Sequence, residues 1–513
     1  MTAPPPDRPP PRGWLAAVLC FAMARHAGAL GGGFTVDDYP TIVNHPGVTG
    51  ALADVFRLDW FGRPFAETVG TYRPVVTLVF WTAHRLGGGH AWVFHAGNLL
   101  AYGALLAAFH ALLGRLAGAS LGPRARLITL ALAGSLALHV DVVPSASSLC
   151  ELLAALFSTL ALLAASSPRE GARMPVLAGL CLVLAMFSKE SALPMAVLAP
   201  ALAWRHAPQR RAWTVSAVSL ASLALVVGFR AGRLPLSVSK GWAVHNTLIG
   251  RGPFDRLLGA AEAATHYVQH VFAPIDLVYD YGYAAIVPGP GLTARAGVGI
   301  VLFAAILAWM IAALARRRPE GELLLGLGAS YVTASHLLLP ASAFLADRWF
   351  FFPSLWLTAS LALPVARLAS LAPRRARVAA LAALALAAVE ATVGATGALV
   401  WRDDATLAAY SVQARPAAMA PRLLTAAAAS WQGRDEDAAW GLLAAAAIYR
   451  RFPAPVPDDA VPAEWEARPA LSRVHALRTK LGEADFARVR EDAMSQALAR
   501  EYQGALRVLA SLR

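Results

Sequence analysis

Residues 13–48, GWLAAVLCFAMARHAGALGGGFTVDDYPTIVNHPGV, begin as an apolar run and continue through a glycine-rich exit into two adjacent carboxylates, Asp37 and Asp38. The run holds about twenty largely apolar residues, and at about 1.5 Å per helical residue these suffice to cross a hydrocarbon core of about 30 Å. Two arginines in a proline-rich segment precede the run. The stretch therefore predicts a cytoplasmic segment 1–12, an uncleaved first transmembrane helix and an acidic loop across the membrane.

The composition of the whole chain is that of a membrane protein. Of its 513 residues, 57% are hydrophobic and 15% are charged, and the mean hydropathy is +0.51; soluble domains carry about 25% charged residues. The formal net charge is +13, but the arginines stand mostly between apolar runs, where they orient helices, so nucleic-acid binding is excluded. Scarce lysine beside abundant Arg, Ala, Gly and Pro suggests a GC-rich bacterial genome, and hence the bacterial inner membrane.

Further apolar runs predict about eleven transmembrane helices in an all-α polytopic protein. After the first helix, the predicted spans are 91–114, 126–140, 149–166, 174–188, 190–204, 212–230, 294–315, 321–339, 348–368 and 377–400. With this set the short arginine-rich connectors all fall on the cytoplasmic side, as the positive-inside rule requires. Two other apolar pieces, 74–86 and 256–274, are predicted to lie at the outer membrane surface without spanning.

The predicted topology divides the chain into a membrane domain, 13–401, and a soluble periplasmic domain, 402–513. The membrane domain carries two long outer loops, 34–90 and 231–293, where water-side chemistry can occur. The C-terminal part is Ala-rich with a helix, a glycine-containing turn and a second helix. This pattern is similar to a tetratricopeptide repeat.

Charged residues at the predicted outer boundary are candidates for a functional site. Adjacent carboxylates such as Asp37 and Asp38 repel, which can raise one pKa and keep that group useful as a base; the alternative is a solvated interfacial loop. Lys189 and Glu190 lie between two apolar runs. They could be a functional pair or a structural ion pair, and the sequence does not distinguish these two interpretations. The three cysteines lie in apolar runs and offer neither a loop disulfide nor a metal-ligand pair.

Arg348 follows Asp347 at the start of a span among aromatic residues. A guanidinium binds phosphate bidentately and stays protonated, so Arg348 is a candidate phosphate ligand, with a snorkelling arginine as the alternative. His139 and Asp141 end another span and could form a divalent metal site with Asp37, but a His-x-Asp pattern alone is a weak signal, and a hydrogen-bonded interfacial pair is the favoured interpretation. The chemistry predicted below does not require a metal.

An ordered set of segments resembles one family. The segments are VDDYPTIVNHPGV (36–48), YRPVVTLVFWTAHRLGGGHAWVFHAGNLLAY (72–102), HVD (139–141) with ELLAALF (151–157), SKE (188–190), DRWFFFPS (347–354) and WRDDATL (401–407). In this order they resemble the tetratricopeptide-repeat O-mannosyltransferases and their bacterial relatives in the GT-C superfamily. Leu149 stands where the family commonly has Arg, and Asp347 where Glu is usual.

The resemblance implies a GT-C-type helical bundle that is an inverting glycosyltransferase. Its donor would be a hexose, mannose or similar, on a polyprenyl phosphate in the membrane, and its acceptor a periplasmic protein or glycan. Asp37 or Asp38 would be the catalytic base, and Arg348, Lys189 and Glu190 would surround the donor phosphate. Further supporting positions are His139, Asp141, Tyr72 and Arg73.

Two other classes of function fit the composition. A transporter also places charges within the membrane, but it should show paired repeats with broken helices, and no such internal symmetry is evident. A non-catalytic envelope assembly platform would use the helical tail and would tolerate loss of the acidic pair. The inverting transferase needs one base and a stabilised phosphate leaving group, and no cofactor.

Overall fold

The computed structural model describes residues 13–415, except 69, 170, 235–245, 247, 276, 280, 282–285, 287, 288, 290 and 339, and also residues 11, 418, 421, 422, 424, 425 and 429. Within this part of the chain the prediction of an all-α protein is confirmed. The longer helices are α1 Gly13–Ala24, α2 Pro74–Gly87, α3 Ala91–Ala117, α4 Pro123–Ser135, α5 Leu149–Ala165, α6 Arg173–Ser188, α7 Met195–His206, α8 Gln209–Ala231, α9 Pro253–Phe272, α10 Ala294–Ala315, α11 Pro319–Tyr331, α12 Asp347–Ser370, α13 Pro373–Val400 and α14 Asp404–Ala414.

Each predicted span overlaps one of these helices. Six helices of the described part are long and apolar enough to cross a membrane: α3, the stretch Ala146–Ala165 that contains α5, α8, α10, α12 and α13. Helices α1 and α6 are apolar but shorter. The helices are thus consistent with a multi-pass membrane protein, while the count of about eleven spans stays a prediction. Helices α2 and α9, predicted not to span, are not among the six, and their place at the outer surface also stays a prediction.

The helix α4 ends earlier than predicted because a buried arginine takes its terminal carbonyls. The side chain of Arg25 donates hydrogen bonds to the carbonyl oxygens of Ser135 and Leu136, the latter at 2.7 Å. Those carbonyls have no partner within the helix. On the next turn, Ala137 N donates to the carboxylate of Glu390 on α13 at 2.7 Å. The predicted span 126–140 therefore changes after Ser135 into a 3-10 turn.

Glycines let neighbouring helices approach closely around the central bundle. A Cβ at Gly326 of α11 would collide with the ring of Trp356 on α12, and one at Gly299 of α10 would collide with the backbone of Ala261 on α9. Without a hydrophobic driving force inside a bilayer, such close backbone contact is a main source of helix association. Trp356 is fully buried, and the contact at Gly326 joins α11 to α12, both of which contribute to the cavity described below.

The last described helix, α14, lies against the first loop. Trp401 and Leu407 form a small apolar cluster with Tyr279, and Val36 of the first loop packs against it. Most of the predicted tetratricopeptide-like domain, 402–513, and of segment 1–12 lies outside the described residues, so both remain predictions.

The predicted orientation can be tested with single cysteines at two exposed positions, Glu67 before α2 and Arg316 after α10, in a protein whose native cysteines are replaced by alanine. We expect a membrane-impermeant thiol reagent to label Glu67→Cys in intact cells and Arg316→Cys only after permeabilisation, because the arginine-rich connectors should be cytoplasmic. If only Arg316→Cys is labelled in intact cells, the orientation is the opposite of the predicted one.

Candidate functional site

A cavity of about 550 Å³ opens at the end of the bundle that carries the first loop. Its walls come from this loop, the residues before α2, the start of α5, the turn between α6 and α7, the end of α8, the end of α11 with the segment that follows it, and the start of α12. The cavity brings together five of the nine residues singled out from the sequence: Asp37, Arg73, Lys189, Glu190 and Arg348. The other four, Asp38, Tyr72, His139 and Asp141, lie behind its walls.

The two adjacent carboxylates have different environments. Asp37 is exposed and lines the cavity, and no described residue donates a hydrogen bond to its carboxylate. Asp38 is fully buried and accepts hydrogen bonds from Thr35 N at 3.0 Å and Ser147 N at 2.7 Å. Burial raises the pKa of Asp38 to about 6 in spite of these hydrogen bonds. Asp38 therefore ties the first loop to the segment before α5, while Asp37 is free to meet a ligand.

The role of Asp38 predicts a loss of stability in Asp38→Asn. An amide can accept one of the two backbone hydrogen bonds, but its NH2 group faces the other donor, so one buried N–H loses its partner. We expect the free energy of unfolding to fall by about 1–3 kcal/mol, measured as a lower midpoint of denaturation. Asp37→Asn is the matched control, since exposed substitutions change stability by about 0.5 kcal/mol or less; an equal loss in both variants would contradict the division of roles.

Lys189 and Glu190 do not pair with each other but with residues on other elements. Lys189 adopts an extended conformation at the end of α6, and successive side chains of an extended chain point to opposite sides. The Lys189 ammonium forms an ion pair with Glu151 of α5. Glu190 lies between Arg73, at 3.4 Å, and Arg230, at 3.2 Å.

The two arginines keep Glu190 ionised. Burial alone would raise the pKa of Glu190, but the positive charges of Arg73 and Arg230 outweigh it and lower the pKa to about 2. Because one carboxylate serves two guanidinium groups, this cluster keeps a net positive charge. Arg73 also lies over the ring of Trp60, with 4.8 Å between the guanidinium carbon and the ring centroid, a cation–π contact that fixes it at the cavity wall.

Arg348 is held at the cavity by a buried acid behind it. Its backbone N–H donates to Asp141 Oδ2 at 3.0 Å, and its guanidinium contacts the same oxygen at 3.5 Å and the carbonyl of Tyr279 at 3.1 Å. The side chain of Arg348 remains 29% exposed. Burial raises the pKa of Asp141 to about 7, opposed by the charge of Arg348. Asp141 is thus the support of Arg348.

The neighbouring acid Asp347 does not face the main cavity. Its carboxylate bonds to the ring of His270 at 2.7 Å and accepts a hydrogen bond from Tyr281 Oη at 2.6 Å. These contacts anchor the start of α12 to α9 and to the loop that follows it.

His139, Asp141 and Asp37 do not converge on a metal site. The His139 ring nitrogens lie 2.8 Å from Tyr102 Oη and 3.0 Å from Ser354 Oγ, so the ring belongs to a hydrogen-bond network between helices. Within the described part of the chain no group of three or more His, Cys, Asp or Glu side chains is placed to hold a metal ion. The predicted trio is therefore not assembled, and the metal requirement of any reaction stays untested.

Tyr72 supports the wall that carries Arg73. Its ring stacks on Phe229 with 5.1 Å between centroids, and its hydroxyl donates to the carbonyl of Phe56 at 3.2 Å. Sequence reasoning did not single out Glu151 or Arg230, which complete the two ion-paired clusters. Glu151 begins the ELLAALF segment of the family resemblance, whereas no local pattern marks Arg230. The charged lining comprises four cations and three acids: Arg73, Lys189, Arg230, Arg348, Asp37, Glu151 and Glu190.

The protein is thus an apolar helical bundle with a cavity at one end that is lined by carboxylates and arginines. A comparison with curated proteins finds 25% identity over 286 residues to a Caenorhabditis elegans protein named protein O-mannosyl-transferase. The match covers 53% of this chain and 39% of the relative, so the chain spans about two fifths of the relative's length. No protein-family model matches the chain, and no solved structure matches it significantly. The chain is therefore a distant relative of an O-mannosyltransferase, which supports a glycosyltransferase-type function.

Proposed function

We propose that the chain is a membrane glycosyltransferase that moves mannose or a similar hexose from a polyprenyl phosphate to a hydroxyl group of a protein or glycan at the outer side of the membrane. The observation that carries this proposal is the placement of one exposed carboxylate, Asp37, in the same cavity as Arg348 and the Arg73–Glu190–Arg230 cluster. A transfer from a phosphate donor needs this combination, because a proton must leave the acceptor while negative charge develops on the phosphate.

The shape of the cavity suits a lipid-linked donor. Beyond Glu151 the cavity lining continues along the same face of α5 through Ala154, Ala155 and Ser158, which lie three, four and seven residues after Glu151, as on one helix face. Small side chains at these positions leave room for a flexible apolar chain. A donor could thus place its phosphate among the arginines and its prenyl chain along α5.

In the proposed reaction Asp37 accepts the proton of the acceptor hydroxyl, and the hydroxyl oxygen attacks the anomeric carbon of the sugar. The bond between that carbon and the phosphate oxygen breaks, and its electron pair leaves with the polyprenyl phosphate. Attack from the face opposite the phosphate inverts the anomeric configuration. Arg348 and the Arg73–Glu190–Arg230 cluster stabilise the phosphate as its charge grows.

The purified full chain in proteoliposomes, supplied with synthetic polyprenyl-phosphate mannose or the glucose analogue, tests the proposal. Mass spectrometry of envelope proteins and glycans from cells with and without the protein supplies candidate acceptors. We expect a hexose-sized mass increase on an acceptor that depends on the protein and on the donor. Unchanged envelope glycans together with no donor consumption would overturn the proposal, and substrate flux into the vesicles would favour a transporter.

A further inference from the structure

The residue before Asp37 has an unusual backbone conformation. Val36 has a φ of 41°, in the left-handed region that β-branched residues rarely occupy because the side chain crowds the backbone. Such a conformation persists only when the surrounding structure holds it, and it is often found at functional sites. At Val36 it sets the direction in which the chain enters Asp37.

Contacts from α14 and from the residues just before it hold this conformation. Val36 N donates a hydrogen bond to Asp404 Oδ1 at 2.9 Å, and Gly33 N donates to the carbonyl of Arg402 at 2.8 Å. The Val36 side chain packs against the apolar cluster that includes Trp401 and Leu407. Following Asp37, the buried Asp38 fixes the other side of the turn through Thr35 and Ser147.

Asp404 is not needed to begin its own helix. The N-terminal cap of α14 is Asp403, whose carboxylate accepts a hydrogen bond from Thr406 N at 2.8 Å. Asp404 is 4% exposed, and its second carboxylate oxygen has no partner among the described residues. A carboxylate buried with a single hydrogen bond is costly, so a stabilising role within α14 alone does not account for it.

We propose that Asp404 is a positioning residue that holds Val36 in the left-handed conformation and thereby fixes the Asp37 carboxylate at the cavity wall. The catalytic part of this inference rests on the proposed function of Asp37. This inference gives Asp404, at the end of the WRDD segment, a role in the site, although Asp404 itself does not line the cavity.

A double-mutant cycle between Asp404 and Val36 tests the inference. We expect Asp404→Ala to lower kcat for transfer at least about tenfold with little change in the KM of the donor, because the base is displaced and not the donor site. Glycine adopts a positive φ without strain, so in a Val36→Gly background the same substitution should cost about threefold or less. If the kcat loss of the double variant equals the product of the losses in the two single variants, the inference is overturned.

Two further variants separate the hydrogen bond from general stability. Asp404→Asn keeps an oxygen that accepts from Val36 N and should retain most of kcat. Asp403→Ala, the matched control, removes the cap of α14 and should lower the denaturation midpoint while leaving kcat nearly unchanged. If Asp404→Ala does not fold, Asp404→Ser, which is polar but too short to reach Val36 N, replaces it in the cycle. Equal kcat losses in Asp403→Ala and Asp404→Ala would contradict a specific role.

A second readout does not depend on transfer. Asp37→Cys, in a protein with Cys20, Cys150 and Cys181 replaced by alanine, can be labelled with a small charged methanethiosulfonate. We expect Asp404→Ala to change the labelling rate several-fold and Asp403→Ala to leave it unchanged. An unchanged rate in both would overturn the positioning role even if transfer occurs. If Asp404→Ala changes the labelling rate but the wild-type protein transfers no sugar, the positioning role stands and the proposed function is overturned.

Discussion

Asp37→Asn should lower the turnover of sugar transfer by about 10²–10⁴-fold while leaving the donor KM and the denaturation midpoint nearly unchanged. The substitution keeps the shape of the side chain and removes the proton acceptor. Asp37 is exposed in the cavity, and no described residue bonds to its carboxylate, so little structure depends on it. The measurement is single-turnover transfer from polyprenyl-phosphate mannose by folded protein.

Asp38→Asn provides the comparison within the same loop. Its carboxylate is fully buried between two backbone donors, so its loss of activity should follow its loss of stability and should be partly recovered at lower temperature. Asp37→Asn should show no such recovery. If both folded variants keep wild-type turnover, the acidic pair is only part of an interfacial loop, and the proposed mechanism is wrong.

The sequence was sufficient to locate the longer helices and five of the seven charged residues that line the cavity. Apolar runs predicted each of the longer helices α1–α13, because burial in a bilayer leaves long stretches without charge. Asp37, Lys189, Glu190 and Arg348 stood out because charges next to such stretches are unusual. Their convergence on one cavity is more than the sequence alone established, since it depends on how the helices pack.

The sequence did not predict which charged residues pair with each other. Lys189 was considered together with its neighbour Glu190, yet it pairs with Glu151 on another helix, and Glu190 binds Arg73 and Arg230 from two further elements. Each of these residues is compatible with many partners until the helices are placed. The strain at Val36 was equally hidden, because valine is an ordinary residue for an extended loop.

The assignment of Asp404 changes how the C-terminal part should be tested. A truncation that removes everything after Val400 would also remove Asp404 and the cluster around Trp401. Such a variant could lose activity through Asp37, whatever the tail binds. A truncation after Ala414 keeps α14, so it isolates the contribution of the residues that follow.

Arg348→Ala should weaken donor affinity by about 10- to 100-fold, the loss expected for about 1.5–3 kcal/mol of hydrogen bonding to a charged group. Arg348 faces the cavity with 29% of its side chain exposed, and Asp141 holds it there. The measurement is the donor KM together with direct binding of polyprenyl phosphate that carries no sugar. Because the phosphate is common to both ligands, both affinities should fall.

Arg348→Lys separates the charge from the geometry. Lysine restores a positive charge but not the bidentate fork of a guanidinium, so donor affinity should recover partly while Asp141 keeps a cationic partner. Arg348→Ala leaves Asp141 buried without that cation, and Arg348→Ala/Asp141→Asn corrects for this by removing the unpaired charge. If the double variant regains wild-type affinity for polyprenyl phosphate, Arg348 serves only to neutralise Asp141, and the phosphate must bind at the Arg73–Glu190–Arg230 cluster instead.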